Sequence, residues 1–242
     1  MTALAVLYRD ASLVAVAKPP GLLVHRTDLD RHETRFALQI ARDQLGARLW
    51  PVHRLDKGTS GVLVFALSAE IARILGGAFE GGGVAKRYVA LVRGWPERAG
   101  VIDHPLAPRF DDYESRPAGG RSPGAKPAIT AYERLATIEL ANDLGRHATS
   151  RYALVALEPK TGRRHQLRRH MKHIAHPIIG DATYGKGAHN RFFAGLLGVQ
   201  RLWLHAEALT FAHPVTRGPL TISAPRGDEW ARLAALTDGI GV

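Results

Sequence analysis

The 242-residue chain contains no cysteine. This absence excludes disulfides, thiolate metal sites and cysteine nucleophiles together. The chain also has no apolar run near the ~20 residues of a membrane-spanning helix, because its longest runs, at residues 13–17 and 62–67, have the length of strands. No cationic segment precedes the first apolar residues, so the pattern does not predict a secretory signal. We therefore expect a cytoplasmic protein without a membrane partner.

Acidic residues are few relative to basic ones, with 22 Asp and Glu against 33 Lys and Arg and a formal net charge of +11. The excess is uneven, because residues 159–180 contain no acidic side chain. They contain six basic ones: Lys160, Arg163, Arg164, Arg168, Arg169 and Lys172. Such a cluster is typical of a surface that contacts a polyanion, with nucleic acid as the first expectation. The alternative, a solvated helix face, usually alternates basic and acidic residues.

Length and hydrophobic patterning predict an α+β fold. A chain of this size forms one large domain or two packed halves. Short apolar runs typical of strands lie at residues 3–8, 13–17, 61–67, 86–93, 128–135, 152–158, 202–211 and 220–224. Helical spacing is present at residues 34–45, 68–79, 162–174 and 228–236. Because strands and helices do not alternate strictly, we expect a mixed or mostly antiparallel sheet.

Two segments are predicted to be irregular loops, at residues 108–127 and 184–197. The first mixes proline, glycine, serine and charges of both signs, and the second is rich in glycine and arginine. Long irregular segments are usually functional lids or connectors. Whether residues 108–127 close over a substrate is left open by the sequence.

The nonapeptide HRLDKGTSG, at residues 53–61, concentrates groups that can do chemistry. Asp56 lies between Arg54 and Lys57, and neighbouring positive charge favours the ionised carboxylate. A positioned carboxylate can act as a nucleophile or as a proton acceptor. In a loop of this composition an aspartate more often forms an Asx-turn or a helix cap, and the residues alone leave both roles open.

The segment GRRHQLRRH, at residues 162–170, predicts a basic helix that contacts phosphate. In a helix over residues 162–174, Arg164 and Arg168 would share one face, as would His165, Arg168 and Lys172. Like charges at this spacing repel each other, so such a helix normally has an anionic partner.

Two other patterns resemble functional motifs but lack residues that those motifs require. The segment GDATYGK, at residues 180–186, begins like a nucleotide-phosphate loop, but Gly187 follows where Ser or Thr would bind magnesium. We therefore expect no nucleotide cofactor. The histidines at 170, 173 and 176 lack the H-E-x-x-H arrangement of a zinc helix, so we expect no metal. Tyr88, on the predicted strand at residues 86–93, is suited either to the core or to stacking on a flipped base.

Together these segments resemble the RluA-type family of pseudouridine synthases. The matching motifs occur in family order as YRD, KPPGL, HRLDKGTSG, KRYVALVRG, TGRRHQLRRH, HPIIGD and RLWLHA. The resemblance implies an isomerase that detaches uracil from C1′ of a uridine in RNA, turns the base and rejoins it through C5, without a cofactor or a metal. It also implies the family fold, a mixed, mostly antiparallel sheet bent around a central basic cleft with flanking helices.

The resemblance implies roles for individual residues. Asp56 would be the essential carboxylate, Tyr88 would lie against the flipped uracil, and Arg168 would pair with Asp56. Arg54 would enter the space that the extruded nucleotide leaves. Further RNA contacts are expected from His53, Lys57, Arg163, Arg164, His165, Arg169 and Lys172. Whether Asp56 attacks C1′ or removes the 2′ proton is left open.

Residues 1–242 are expected to form one catalytic domain of two packed halves, without a separate N-terminal RNA-binding domain, and to act as a monomer. The doubled arginine Arg168-Arg169 and the pair Asn190-Arg191 resemble members of the family that act on tRNA. This implies the T-stem uridine at tRNA position 65. The alternatives are a ribosomal-RNA substrate, a non-catalytic RNA-binding or RNA-folding protein, and a glycosylase that releases free uracil.

Overall fold

The structure is a computed structural model that describes residues 3–25, 33–108, 124–142, 144 and 147–236. Within these ranges the strands are β1 (Val6–Arg9), β2 (Leu13–Lys18), β3 (Trp50–Pro51), β4 (Ser60–Ala66), β5 (Ala85–Arg93), β6 (Ala99–Asp103), β7 (Ile129–Ala141), β8 (Thr149–Pro159), β9 (Leu204–Ala212) and β10 (Pro219–Ser223). The helices are α1 (Ala37–Leu45), α2 (Ala69–Glu80), α3 (Gln166–His173), α4 (Gly187–Leu197) and α5 (Asp228–Ala234).

The described strands form one sheet in the order β1-β2-β4-β9-β5-β8-β7-β6, with β10 paired to β9 and β3 paired to β4. The β4–β9 pair is parallel and short, joining Ser60 to His205 and Gly61 to Ala206. The other strand pairs within the described ranges are antiparallel. The predicted α+β class with a mixed, mostly antiparallel sheet is therefore confirmed.

Apolar side chains on both faces of this sheet form the core. Two buried clusters lie on β1, β2, β4, β9 and β10 with α1 and α2, which we call the first half of the molecule. Two further clusters lie on β5, β7 and β8 with α3, α4 and α5, which we call the second half. Strand β9 contributes to both halves, since Ala206 packs in the first and Leu204 in the second.

Most strands and helices lie where the sequence predicted them. The predicted start of α2 is confirmed, because the Ser68 hydroxyl accepts a hydrogen bond from the Ile71 amide at 3.2 Å. Strands β3 and β6 were not predicted, since β3 has only two residues and the sequence of β6, AGVID, is too small and polar to stand out. Strands β7 and β8 are longer than predicted.

Two predictions about helices are wrong. Residues 184–197, predicted to be a loop, contain α4, whose residues His189, Phe193 and Leu197 are buried one turn apart. Helix α3 begins at Gln166 instead of residue 162, because His165 has a φ of 52° in the left-handed region. Arg164 therefore lies in the turn before α3 and does not share a helix face with Arg168.

Residues 109–123, most of the segment predicted to be a loop and candidate lid, lie outside the described residues. No helix in the described part of the chain is long and apolar enough to cross a membrane.

Candidate active site

Asp56 lies in the tight turn that leads into β4. The Thr59 amide donates a hydrogen bond to the Asp56 carbonyl at 3.0 Å, which closes the turn. The next carbonyl, that of Lys57, accepts hydrogen bonds from the Gly21 amide at 2.8 Å and from the Lys18 ammonium at 3.1 Å. These hydrogen bonds fix the backbone at Asp56 and at the residue that follows it, and so restrict the direction of the Asp56 side chain.

Lys18 is the buried anchor of this turn. Its Nζ also donates to the carbonyl oxygens of Pro19 and Leu22 at 2.9 and 2.7 Å, and the residue is only 1% exposed. Burial, partly offset by Asp56, lowers the Lys18 pKa to about 7. Lys18 was not predicted as a site residue, because the Lys57 carbonyl that links it to the Asp56 turn lies 39 residues away in the sequence.

Arg168 connects Asp56 to a second carboxylate. Its Nη1 lies 3.0 Å from Asp56 Oδ2, while its Nε and Nη2 donate to Asp181 at 2.7 and 2.9 Å. This fork-shaped pairing fixes both the plane and the position of the guanidinium. Burial opposes the charge on Arg168, but the two carboxylates more than offset this effect and raise its pKa. The predicted pair of Arg168 and Asp56 is thus present in the structure.

Asp181 was not predicted as a site residue. Its Oδ1 also accepts hydrogen bonds from the Thr183 and Tyr184 amides, both at 2.9 Å. Burial raises the pKa of Asp181, but the hydrogen bonds from Arg168 and from these amides outweigh burial and hold it below its usual value. Asn190 on α4 supports the same turn, since its side chain bonds the Gly180 amide and the Asp181 carbonyl at 2.8 and 3.0 Å.

His165 lies beside the ion pair. Its Nε2 is 3.9 Å from Asp56 Oδ2, and its Nδ1 is 3.2 Å from the Tyr184 hydroxyl. Burial lowers the His165 pKa, and this effect exceeds the opposing attraction of Asp56. We therefore expect a neutral imidazole next to Asp56 at neutral pH.

Tyr88 is on the central strand β5 and packs against the cores of both halves. Burial, together with the negative charge of Asp56, raises the pKa of the Tyr88 hydroxyl. The hydroxyl thus stays protonated at neutral pH. A neutral ring in this position offers an aromatic face to a planar ligand.

Two cavities meet at Asp56. They have volumes of about 600 and about 580 Å³, which is the size range of small-ligand sites. Arg54, Arg164, His165 and Arg168 line both cavities with Asp56. We call the larger the outer cavity; it extends along residues 20–25 and 199–202. The other, which we call the Tyr88 cavity, is lined by Tyr88, Lys86, His53, Phe79 and Leu204, among others.

His53, predicted to contact RNA, has its ring engaged by the protein. Its Nε2 accepts a hydrogen bond from the Val64 amide at 3.0 Å, and its ring stacks on Phe79 with centroids 4.5 Å apart. Val64 lies on the edge of β4 between the segments paired to β3 and to β9, so the imidazole satisfies an amide that neither strand reaches. Burial, followed by the charge of Lys86, lowers the His53 pKa to about 3. This geometry favours a structural role.

Of the other predicted RNA contacts, Arg54 and Lys57 line a cavity and Lys172 lines neither. Arg54 is exposed and lines both. Lys57 forms an ion pair with Glu33 at 2.7 Å. Lys172 is an exposed residue of α3, with its Nζ 5.9 Å from the centre of the Tyr184 ring.

Two of the predicted phosphate-binding arginines also donate hydrogen bonds to backbone carbonyl oxygens of the protein. Arg163 Nε donates to the Pro127 carbonyl at 3.0 Å, and Arg169 Nη1 donates to the Ala107 carbonyl at 2.9 Å. The nearby His170 also makes hydrogen bonds within the protein. His170 is fully buried and bonds Thr130 Oγ1 at 2.9 Å and the His104 carbonyl at 3.0 Å. Within the described residues no group of three His, Asp or Glu side chains is arranged to hold a metal.

The chemistry available here is that of a fixed carboxylate in a cleft with a neutral aromatic wall. A planar base bound in the Tyr88 cavity would lie near the Asp56 carboxylate, with basic side chains around it. A base bound there would displace water, and fixed charges act more strongly where water is displaced than in solvent. Such a site is suited to attack on, or proton removal from, a sugar carbon next to the base.

Comparison with known proteins agrees with this geometry. Residues 12–173 match the family model described as RNA pseudouridylate synthase. The chain therefore belongs to the RNA pseudouridylate synthase family and is an isomerase that acts on RNA.

Individual relatives are similar over nearly the whole chain. The tRNA pseudouridine synthase C of Vibrio cholerae is 50% identical over 230 residues, covering 95% of this chain and 94% of that protein. The protein of the same name from Haemophilus ducreyi is 48% identical over 228 residues, covering 94% and 93%. Among solved structures, human RNA Pseudouridylate Synthase Domain Containing 4 is 28% identical with a TM-score of 0.69, covering 95% of this chain and 93% of that one.

Proposed function

We propose that this isomerase acts on tRNA and converts the T-stem uridine at position 65 to pseudouridine. The tRNA assignment is supported by the relatives described above, which carry tRNA in their names and match at 48–50% identity over nearly their full length. The position within tRNA rests on the resemblance of the doubled arginine Arg168-Arg169 and of Asn190-Arg191 to tRNA-acting members of the family.

The catalytic assignment rests on one observation, the fixing of the Asp56 carboxylate at the junction of two cavities. Arg168 pairs with Asp56 at 3.0 Å and is itself held by Asp181. Ion pairs of this kind keep a carboxylate charged and oriented. We assign Asp56 as the residue that reacts with the sugar, Arg168 as its positioning residue, and Tyr88 as the wall against which the uracil lies.

In the proposed reaction, the C1′–N1 bond breaks with its electron pair staying on N1. Asp56 either bonds to C1′ or takes the 2′ proton. The detached base turns, C5 bonds to C1′, the Asp56 carboxylate is released or returns its proton, and the proton lost from C5 is balanced by one gained at N1. Arg54, exposed at the mouth of both cavities, would occupy the gap left by the flipped nucleotide and offset part of the few kcal/mol that unstacking costs.

The basic residues around the cleft would follow the RNA backbone. Five of them lie on or just before α3: Arg163, Arg164, His165, Arg169 and Lys172. Lys57 and Arg54 extend positive charge from the Asp56 turn. We propose that the two halves act as one catalytic unit, since Asp56 comes from the first half and Tyr88 and Arg168 from the second. We further propose that the protein acts as a monomer in the cytoplasm.

The test of the catalytic role is Asp56→Asn, which keeps the size of the side chain and removes its charge. We expect RNA affinity near that of the wild type and no pseudouridine in treated RNA. Asp103→Asn, an exposed carboxylate on β6 outside both cavities, is the matched control and should retain full activity. Turnover by Asp56→Asn near the wild-type rate would contradict the assignment.

The test of the substrate is pseudouridine mapping of total tRNA and ribosomal RNA from a strain that lacks the gene. We expect loss of pseudouridine at tRNA position 65 and its return when the wild-type protein, but not Asp56→Asn, is supplied. A loss confined to ribosomal RNA would replace the tRNA assignment. Release of free uracil from the RNA would instead identify a glycosylase, and chromatography of the products distinguishes the two reactions.

A further inference from the structure

Lys86 is a lysine in the Tyr88 cavity to which the proposed function gives no role. It lies on β5 two residues before Tyr88, so both side chains are on the same face of the strand. Both line the Tyr88 cavity, as does Asp56. Lys86 is half-buried, and in the part of the chain that the structure describes its Nζ has no hydrogen-bond acceptor and no ion pair.

Among the residues that the structure describes, the charge of Lys86 has no hydrogen-bonded or ion-paired partner. Burial lowers its pKa, as expected for an ammonium that has lost water. The adjacent His53 is neutral and has its Nε2 engaged by Val64. Of the two acidic residues lining the cavity, Asp56 is paired with Arg168, and Glu80 is exposed and forms no ion pair with Lys86 in the described part of the structure.

The reaction itself produces an anion in this cavity. When the C1′–N1 bond breaks, the electron pair remains on N1, and the resulting negative charge is shared by N1, O2 and O4 of the uracil. This holds whether Asp56 attacks C1′ or removes the 2′ proton. The charge disappears from the base once C5 has bonded to C1′ and the proton has moved from C5 to N1.

We propose that Lys86 stabilises the uracil anion while the base is free of its sugar. The inference rests on the proposed placement of the uracil beside Tyr88. The uracil in bound RNA is neutral, so the attraction to Lys86 grows as the bond breaks, and an interaction that is stronger in the transition state accelerates the chemical step. Phe79 and Leu204 add apolar surface to the lining of this cavity, and a base bound there would displace water, which strengthens an attraction between charges.

Phosphate contact is the other common use of a lysine in an RNA-binding cavity. Lys86 differs in position from the cations suited to that task, because Arg54 and Arg164 line both cavities whereas Lys86 lines only the Tyr88 cavity, beside His53 and Phe79. Loss of a phosphate contact would reduce RNA affinity and its dependence on salt. Loss of an anion-stabilising group would reduce the rate of the bound complex instead.

The experiment measures single-turnover rates of Lys86→Met on RNA that carries uridine or 5-fluorouridine at the target position. Fluorine makes the uracil anion less basic, so the fluorinated base depends less on a stabilising cation. Because fluorine replaces the proton that must leave C5, the reaction of this substrate is followed as loss of 5-fluorouridine from RNA digests. We expect a rate on uridine about 100-fold below wild type, RNA affinity near wild type, and a clearly smaller loss of rate on 5-fluorouridine.

Two further variants complete the design. Lys86→Arg keeps the charge and should recover part of the rate, and Lys126→Met, an exposed lysine outside both cavities, should react at the wild-type rate. Equal losses on both substrates, or weaker RNA binding with an unchanged rate, would overturn the inference. An active Lys86→Met beside an inactive Asp56→Asn would overturn it while leaving the proposed function in place.

Discussion

Asp181 holds the guanidinium of Arg168 through two hydrogen bonds, of 2.7 and 2.9 Å, and thereby presents its Nη1 to Asp56. The side chain of Asp181 is fully buried, and that of Arg168 is 11% exposed. The orientation of the proposed catalytic carboxylate thus depends on a second, fully buried carboxylate.

Asp181→Asn is expected to lower both stability and catalytic rate. The amide cannot accept both arginine hydrogen bonds, and the charge of Arg168 then has only Asp56 to balance it. Breaking a buried pair in this way costs about 3 kcal/mol of the free energy of unfolding. Chemical denaturation and single-turnover rates measure the two effects, with Asp103→Asn as the control. If the rate stays at the wild-type value while stability falls, Asp181 supports the fold alone.

His53→Ala is expected to destabilise the protein more than it weakens RNA binding. The substitution leaves the Val64 amide on β4 without an acceptor and removes the stack on Phe79. An unsatisfied buried amide costs about 2 kcal/mol. Denaturation and RNA titration should be compared with those of His147→Ala, an exposed histidine. A large loss of affinity with unchanged stability would restore the role predicted from sequence.

The stability of the protein should also fall in mild acid through His53. Its folded-state pKa of about 3 lies below the ordinary 6.5 of the unfolded chain. The unfolded state therefore binds the proton more readily, and the contribution of the neutral ring is lost progressively as the pH falls from about 6.5 toward 3. The free energy of unfolding of His53→Ala, measured across this range, should change less with pH than that of the wild type. Parallel curves would show that His53 is not the titrating group.

Asp10→Asn is expected to flatten the response to stronger acid. Burial raises the pKa of Asp10, but hydrogen bonds from the Leu13 and Ser12 amides, followed by Tyr8, lower it from 3.8 to about 2. The carboxylate thus contributes stability above pH 4, roughly 1–2 kcal/mol for a group of this exposure, and that contribution is lost as the pH falls through 2. Denaturation midpoints between pH 5 and 2 test this, with the exposed Asp43→Asn as the control.

Arg169→Ala and Lys172→Ala should each weaken RNA binding without changing base preference. Each phosphate contact that is removed lowers the slope of log affinity against log salt by roughly 0.7–0.9. Arg169 also bonds the Ala107 carbonyl, so its unfolding must be checked in parallel. Arg73→Ala, exposed on α2, supplies the control. An unchanged slope would place both side chains away from the RNA.

The sequence predicted the fold well where apolar runs are continuous, as in β4 and β5. It failed for α4, because one of its three buried positions is a histidine and the residues between them mix polar, glycine and apolar side chains, so no clear apolar face stands out. What stabilises α4 is tertiary: His189 bonds the hydroxyl of Tyr152, and Phe193 packs edge-on against the same ring. A pattern confined to one segment carries no information about such partners.

The site was predictable to the extent that motifs indicate it. Asp56 and Arg168 are 112 residues apart, and only the family resemblance joined them before the structure did. Asp181 stands in a quoted motif but received no role, because its hydrogen bonds to Arg168 depend on how the chain turns after α3. The charge of the basic residues identified them in the sequence. Their hydrogen bonds to backbone carbonyl oxygens could not be predicted from it.

The short parallel contact between β4 and β9 links catalysis to the architecture of the whole molecule. It joins only two pairs of residues, and a side chain at Gly61 would collide with the Ala206 carbonyl, 2.1 Å from the added carbon. The Asp56 turn leads into β4 at this contact, whereas Arg168 and Tyr88 belong to the second half of the molecule. A substitution that separates β4 from β9 would therefore misalign the catalytic residues without replacing any of them. Inactive variants should thus also arise at positions that do not contact RNA.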